Sequence, residues 1–130
     1  MVDLSDTPAG ARDRLREALN RRGEDIIVRR YYGDPGPNRP KYEAQIRARV
    51  TGLGNPELIG GIAQGKFKVV ALVDPAAAVP DGMVSIAGLL PILMSDKVVI
   101  GPKEMTIEAL DDKTRRLGGD LFGLDMQVKS

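Results

Sequence analysis

Apolar and polar residues follow two rhythms along this chain, and the rhythm changes at Gly23. Before it, Ala11, Leu15, Ala18 and Leu19 recur at helical spacing, one narrow apolar stripe among arginines and acids. Thr7-Pro8 reads as an N-cap followed by proline at the first helical position, and Gly23 as the residue closing the helix. The spacing therefore predicts a helix over 8–23, preceded by a tail over 1–7.

After Gly23 the period is two. A first strand is predicted over 24–32, with Ile26 and Val28 on one face and Ile27 and Arg29 on the other. Residues 33–40 are turn material. The clearest strand follows: Tyr42, Ala44, Ile46, Ala48 and Val50 alternate with Lys41, Glu43, Gln45, Arg47 and Arg49, one face buried and one wet. Residues 52–65 hold five glycines around Asn55-Pro56-Glu57-Leu58-Ile59. They read as a long mobile connection with a helical turn at 56–59.

Further strands are predicted over 66–73, 97–100, 104–110 and 121–129. Met105, Ile107 and Ala109 are expected inward on one of these, and Leu124, Met126 and Val128 on another. Residues 83–94 are apolar but broken by Gly88 and Pro91, so they read as irregular or as an edge strand. Residues 111–119 read as a polar loop. One helix followed by short strands with Gly/Pro turns predicts a mainly β fold. The expected form is a small antiparallel barrel or sandwich with an N-terminal α-helix and a long Gly-rich loop.

At 130 residues the chain is expected to form one domain, with 24–130 as its barrel. It contains no cysteine and no histidine, which removes disulfides, thiol nucleophiles, zinc fingers and histidine bases. The net charge of +1 gives no global pull toward polyanions. The start is polar and acidic, without the pattern of a signal peptide, and the 83–94 stretch is too short to cross a bilayer. No membrane partner and no cofactor is expected, and the chain reads as made in a reducing cytoplasm.

Three patterns carry candidate chemistry. Gly60 to Lys66 fits the first part of a phosphate-binding loop, but Phe67 stands where a serine or threonine would ligate magnesium. A flexible connection is the simpler reading. Asp111-Asp112 and the pair Asp120, Asp125 sit at polar positions and read as solvated charge rather than catalytic carboxylates. The basic residues are uneven: residues 12–49 hold 11 Lys+Arg against 6 Asp+Glu. Arg29, Arg30, Arg47 and Arg49, with Lys66 and Lys68 on the next strand, form a candidate basic face for DNA or a neighbouring subunit. Only Tyr31, Tyr32 and Tyr42 supply aromatic rings near it, a thin platform for single-stranded nucleic acid. Leu89, Leu90, Ile92 and Leu93 are either core or an exposed docking patch.

The order of these pieces resembles the head-tail connector proteins of long-tailed bacteriophages, the head-closure or stopper proteins of the neck. The likeness is carried by Arg21-Arg22-Gly23-Glu24-Asp25 leading into the first strand, the alternating strand over 42–50, and the 56–65 segment followed by 66–73. Ser95-Asp96-Lys97-Val98-Val99-Ile100 with Met105 to Ala109, and the closing strand over 124–128, complete it. Such families often carry Gly-Asp where this chain has Ser95-Asp96, and the 83–94 insert is longer than expected. The resemblance implies a non-enzymatic ring subunit between a portal or adaptor ring and a tail protein, in the virion, near packaged DNA. It also implies a loop toward the channel, here Gly52, Gly54, Asn55, Glu57, Gly60, Gly61, Gln64 and Gly65. A small β-barrel nucleic-acid-binding module is the alternative, as is a neighbouring neck protein, adaptor or tail-completion.

Overall fold

The computed structural model describes residues 7–37, 39–59 and 62–130. Helix α1 (Pro8–Arg22) starts as its sequence predicts: Thr7 Oγ1 accepts from Gly10 N at 3.1 Å, and proline follows it. At the other end Gly23 N donates to Leu19 O at 2.7 Å. Gly23 is not in the left-handed conformation that a closing glycine usually supplies; its φ is −105°. The reason for glycine is space. A Cβ there would lie 2.4 Å from Leu19 O and 2.7 Å from Ala48 O, both backbone atoms. The helix buries Ala11 and Leu19 against the barrel, and Arg12 fastens it, donating to Val73 O at 2.8 Å and Leu121 O at 3.1 Å.

Among the described residues eight strands follow: β1 (Glu24–Tyr31), β2 (Lys41–Ile59), β3 (Ile62–Leu72), β4 (Lys97–Ile100), β5 (Lys103–Asp111), β6 (Arg116–Leu117), β7 (Asp120–Leu121) and β8 (Gly123–Lys129). Six close into an antiparallel barrel in the order β1-β2-β3-β8-β5-β4, with β4 returning to β1. The alternative of a sandwich is thereby excluded, and closure removes the sheet edges that such a small protein would otherwise expose. Ile26, Val28, Val69, Val98, Leu124, Met126 and Val128 fill the interior, with Ala44, Ala48 and Ala71 leaving the room that a narrow barrel needs.

Several expectations change. Ala109 is exposed because the register shifts between Ile107 and Ala109, so the strand's inward parity is broken there. Tyr42 lies at the barrel's end, 46% exposed and stacked on Tyr32 at 4.5 Å between centroids. The 111–119 loop contains β6, which forms a small hairpin with β7.

Residues 83–94 form no strand. A 3-10 turn over Ile86–Leu89 sends Ile86 and Leu89 into the core, and Ile92 follows them. Val84 N donates to Glu43 O at 2.9 Å, so this segment occupies the side of β2 that β3, whose pairing with β2 begins at Ala48, has not yet reached. Asp96 secures its far end, accepting from Leu93 N at 2.8 Å and from the Arg30 guanidinium.

The largest departure concerns the segment expected to be a loop with a helical turn. β2 continues to Ile59 and β3 begins at Ile62, and the two strands pair from Ala48↔Ala71 out to Ile59↔Ile62, with one irregularity between Leu53 and Glu57. β1 accompanies β2 only over Lys41–Ala48, and β8 accompanies β3 only over Lys66–Leu72. The outer part is therefore a hairpin arm whose strands, among the described residues, pair only with each other. Beyond the Leu53↔Lys66 pair the arm has six residues on β2 (54–59) and four on β3 (62–65), so its shorter strand reaches roughly 13 Å.

Candidate functional site

The predicted basic face does not form as one stripe. Arg29 and Arg30 are consecutive on β1, and successive strand residues point to opposite faces. Arg29 points outward, donating to Glu43 at 2.9 Å and to Glu104 at 2.7 Å. Burial works against its charge, but the bonds to Glu104, Glu43 and Tyr31 outweigh it and raise its pKa above the ordinary value. Arg30 points to the barrel's end and is held by Asp96, whose hydrogen bond raises the arginine's pKa. Arg47 donates to Leu19 O at 3.1 Å, near the carbonyl end of α1, and lies 3.4 Å from Asp25. These three arginines tie elements of the fold to one another.

Arg49, Lys66 and Lys68 are placed differently. Ala48 of β2, Val69 and Ala71 of β3, and Met126 and Val128 of β8 point inward, so their neighbours share the outer face. The register sets out three rows across that face: Arg49, Val70 and Asp125; Thr51, Lys68 and Gln127; and Lys66 with Lys129. Arg49, Lys66, Lys68 and Lys129 are all exposed. Glu108, at the β5 irregularity, lies between two of them, 3.4 Å from Lys66 Nζ and 3.5 Å from Lys129 Nζ. Lys129 is the member that sequence reasoning missed. Its position on an outward strand parity was legible, but its adjacency to Lys66 depends on β3 pairing with β8, strands far apart in sequence.

The carboxylates are also resolved. Asp125 accepts from Arg115 Nε at 3.1 Å through Oδ2, while its buried Oδ1 has no hydrogen-bond partner among the described residues. Asp111 caps a turn: the Thr114 hydroxyl and the Lys113 and Thr114 N–H groups bind it, and they lower its pKa to about 2. Glu104 is held below the usual range chiefly by the Tyr31 hydroxyl. Asp111 and Glu104 are thus carboxylates kept ionised by local partners, the opposite of a general acid poised near neutrality. No group of three or more metal-ligating side chains occurs among the described residues.

Gly65 N donates to Ser130 Oγ and Gly65 O accepts from Ser130 N, each at 3.2 Å. Gly52 stands exposed beside the Phe67 ring. Gly54, Asn55, Glu57 and Gln64 are backbone positions of the arm strands, and Gly60 and Gly61 lie outside the described residues. Lys66 sits within β3 rather than in a loop before a helix, which leaves the phosphate-loop pattern without its fold context.

The docking patch divides. Leu89 and Ile92 are core residues, 3% and 4% exposed, and Leu90 packs half-buried against them. Only Leu93, at 46%, faces solvent. A run of apolar residues broken by Pro91 folds inward because its 3-10 turn covers the open side of β2. A cavity of about 260 Å³ between α1 and the 74–86 segment is lined by Arg16, Asp74, Arg47 and Asp25, among others, and these four already pair within the protein. Among the described residues, no helix is long and apolar enough to cross a membrane.

Compared with protein-family models and with curated proteins, the sequence has no match.

Proposed function

We propose that this chain is a structural protein of a tailed-bacteriophage neck, a ring subunit between the portal or adaptor and the tail that closes the DNA channel and joins head to tail. The hairpin arm carries the reading. A closed barrel is a finished unit with little use for a two-stranded extension. Such a ribbon is marginal in water by itself and gains stability when other surfaces cover it. Subunits related by rotation supply such surfaces repeatedly, and the arm then either clasps a neighbour or reaches the channel.

In this reading the work is mechanical. The barrel holds its shape, the arm takes up contacts, and no bond is made or broken. The family resemblance supports the same assignment through the order of helix, alternating strand, glycine-bearing segment and closing strands. The second reading, a small nucleic-acid-binding barrel, is favoured by the exposed Arg49, Lys66, Lys68 and Lys129.

The test is negative-stain electron microscopy of lysates from the phage or prophage carrying this gene, with the gene deleted. Free tails beside heads that have lost their DNA support head closure. Joined, DNA-filled particles overturn it and leave the second reading.

A further inference from the structure

We infer that the outer face of β2, β3 and β8 binds the phosphodiester backbone of duplex DNA through Arg49, Lys66, Lys68 and Lys129. The inference is independent of the neck reading and deepens the second one, whose residues it shares, by naming the duplex backbone as the ligand.

The four cations occupy three adjacent rows of one sheet face. Neighbouring strands are about 4.8 Å apart and same-face residues of one strand about 6.6 Å apart, so the charges form a compact patch. Between them lie Thr51 and Gln127, polar side chains able to hydrogen-bond a phosphate oxygen, and Val70, half-buried. The acids nearby are accounted for. Asp125 is engaged by Arg115, Asp111 is bound by the Thr114 hydroxyl and two backbone N–H groups, and Glu108 is shared between Lys66 and Lys129. With Arg115 included, five cations face three carboxylates, an excess of positive charge on a chain whose net charge is only +1.

Duplex is favoured over single strands by where the rings are. Tyr32 and Tyr42 stack on each other at the start of β2, whereas Arg49 and Thr51 lie seven and nine residues further along the same strand. At about 3.3 Å per residue that is more than 20 Å, so no base stacked on those tyrosines shares a site with these cations. The face offers charge and polar contacts to a backbone and no platform for bases. Its binding is therefore sequence-independent and strongly salt-dependent.

The experiment is fluorescence anisotropy of a short random-sequence duplex DNA with the purified full chain, titrated between about 50 and 200 mM salt. Four phosphate contacts give a log–log salt slope of about −3.6, and R49Q/K68Q removes roughly half of it while weakening binding at low salt severalfold. E108Q frees Lys66 and Lys129 and tightens binding. The control R39Q/K41Q, just before and at the start of β2, leaves the slope unchanged. Thermal melts verify that each variant is folded; these side chains are exposed, and Glu108 lies on the outer face. No binding at low salt, or equal losses in the control and in R49Q/K68Q, overturns the proposal. The result is independent of the deletion lysates: the neck reading fails on particles, this one on purified protein.

Discussion

Arg30 grips Asp96 through both carboxylate oxygens, Nε to Oδ1 at 2.8 Å and Nη2 to Oδ2 at 2.7 Å. Asp96 is 1% exposed, the buried charged side chain among the described residues. The same Nη2 also donates to Leu89 O at 2.8 Å and Pro91 O at 3.1 Å. One guanidinium thus fixes β1 to the segment that closes the barrel's side. Removing one partner of a buried pair strands the other's charge and costs about 3 kcal/mol or more. Asp96→Ala is expected to lower the unfolding free energy, measured by urea denaturation, by that amount. A change below about 0.5 kcal/mol, the range of ordinary surface substitutions, contradicts the assignment.

Gly23→Ala tests close packing rather than conformation. The new methyl meets two backbone oxygens that cannot rotate away. Overpacking of this kind typically costs about 1–3 kcal/mol. Alanine would otherwise be expected to stabilise a residue with φ of −105°, so the sign of the change in melting temperature decides between the two.

Arg12 holds α1 to the barrel through two backbone carbonyls, Val73 O and Leu121 O. Hydrogen bonds from a charged donor contribute about 1.5–3 kcal/mol, so Arg12→Met is expected to cost about 2 kcal/mol. Hydrogen exchange should show the loss first in α1, with β3 and β8 still protected. Uniform loss across all strands would mean that the helix and barrel open as one unit.

Acid sensitivity follows from the carboxylates held below their ordinary range. Asp111 is lowered to about 2, and Glu104 and Asp74 are lowered by Tyr31 and Arg16 respectively, in Asp74 against the cost of burial. The unfolded chain binds more protons than the folded one wherever pH lies between the two pKa values. Stability from these groups is therefore present above the ordinary carboxylate range and is lost as pH falls from about 4 toward 2. With no histidine, denaturant midpoints should stay level between about pH 5 and 7. Thr114→Val removes the largest cause at Asp111, and carboxyl NMR titration should show its midpoint rising from about 2 toward 3.8. An unmoved midpoint rules out the hydroxyl as the cause.

Shortening the arm separates fold from assembly. Leu53 and Lys66 are register partners, so Asn-Gly in place of residues 54–65 closes the hairpin there. The β1–β2 and β3–β8 pairings all lie outside the deleted stretch. The melting temperature should stay within a few degrees of the parent, while on the proposed neck reading complementation of the deleted gene is lost. Full complementation by the shortened chain removes the arm from the mechanism.

Much of the fold was legible because its signals are local. The alternation from Ala44 to Val50 and from Leu124 to Val128 set which face is buried, and Thr7-Pro8 set the helix start. What was not legible depends on partners distant in the chain. Glycines from 52 to 65 read as a loop because β propensity is weak there, yet cross-strand pairing extends β2 and β3 through most of it. Leu89 and Ile92 read as a patch because nothing local reveals the open side of β2 that they help to cover. Lys129 joins Lys66 only through the β3–β8 register, whereas the parity that separates Arg29 from Arg30 was already local to the first strand.

On the proposed neck reading, the most direct measurement is a symmetry-averaged cryo-electron microscopy map of the neck of the phage particle that would carry this chain. The account predicts a ring of six-stranded barrels between portal or adaptor and tail. In each, a β2–β3 arm contacts the adjacent subunit or the channel. A neck fully assigned to other proteins, with no density that fits this barrel, contradicts it.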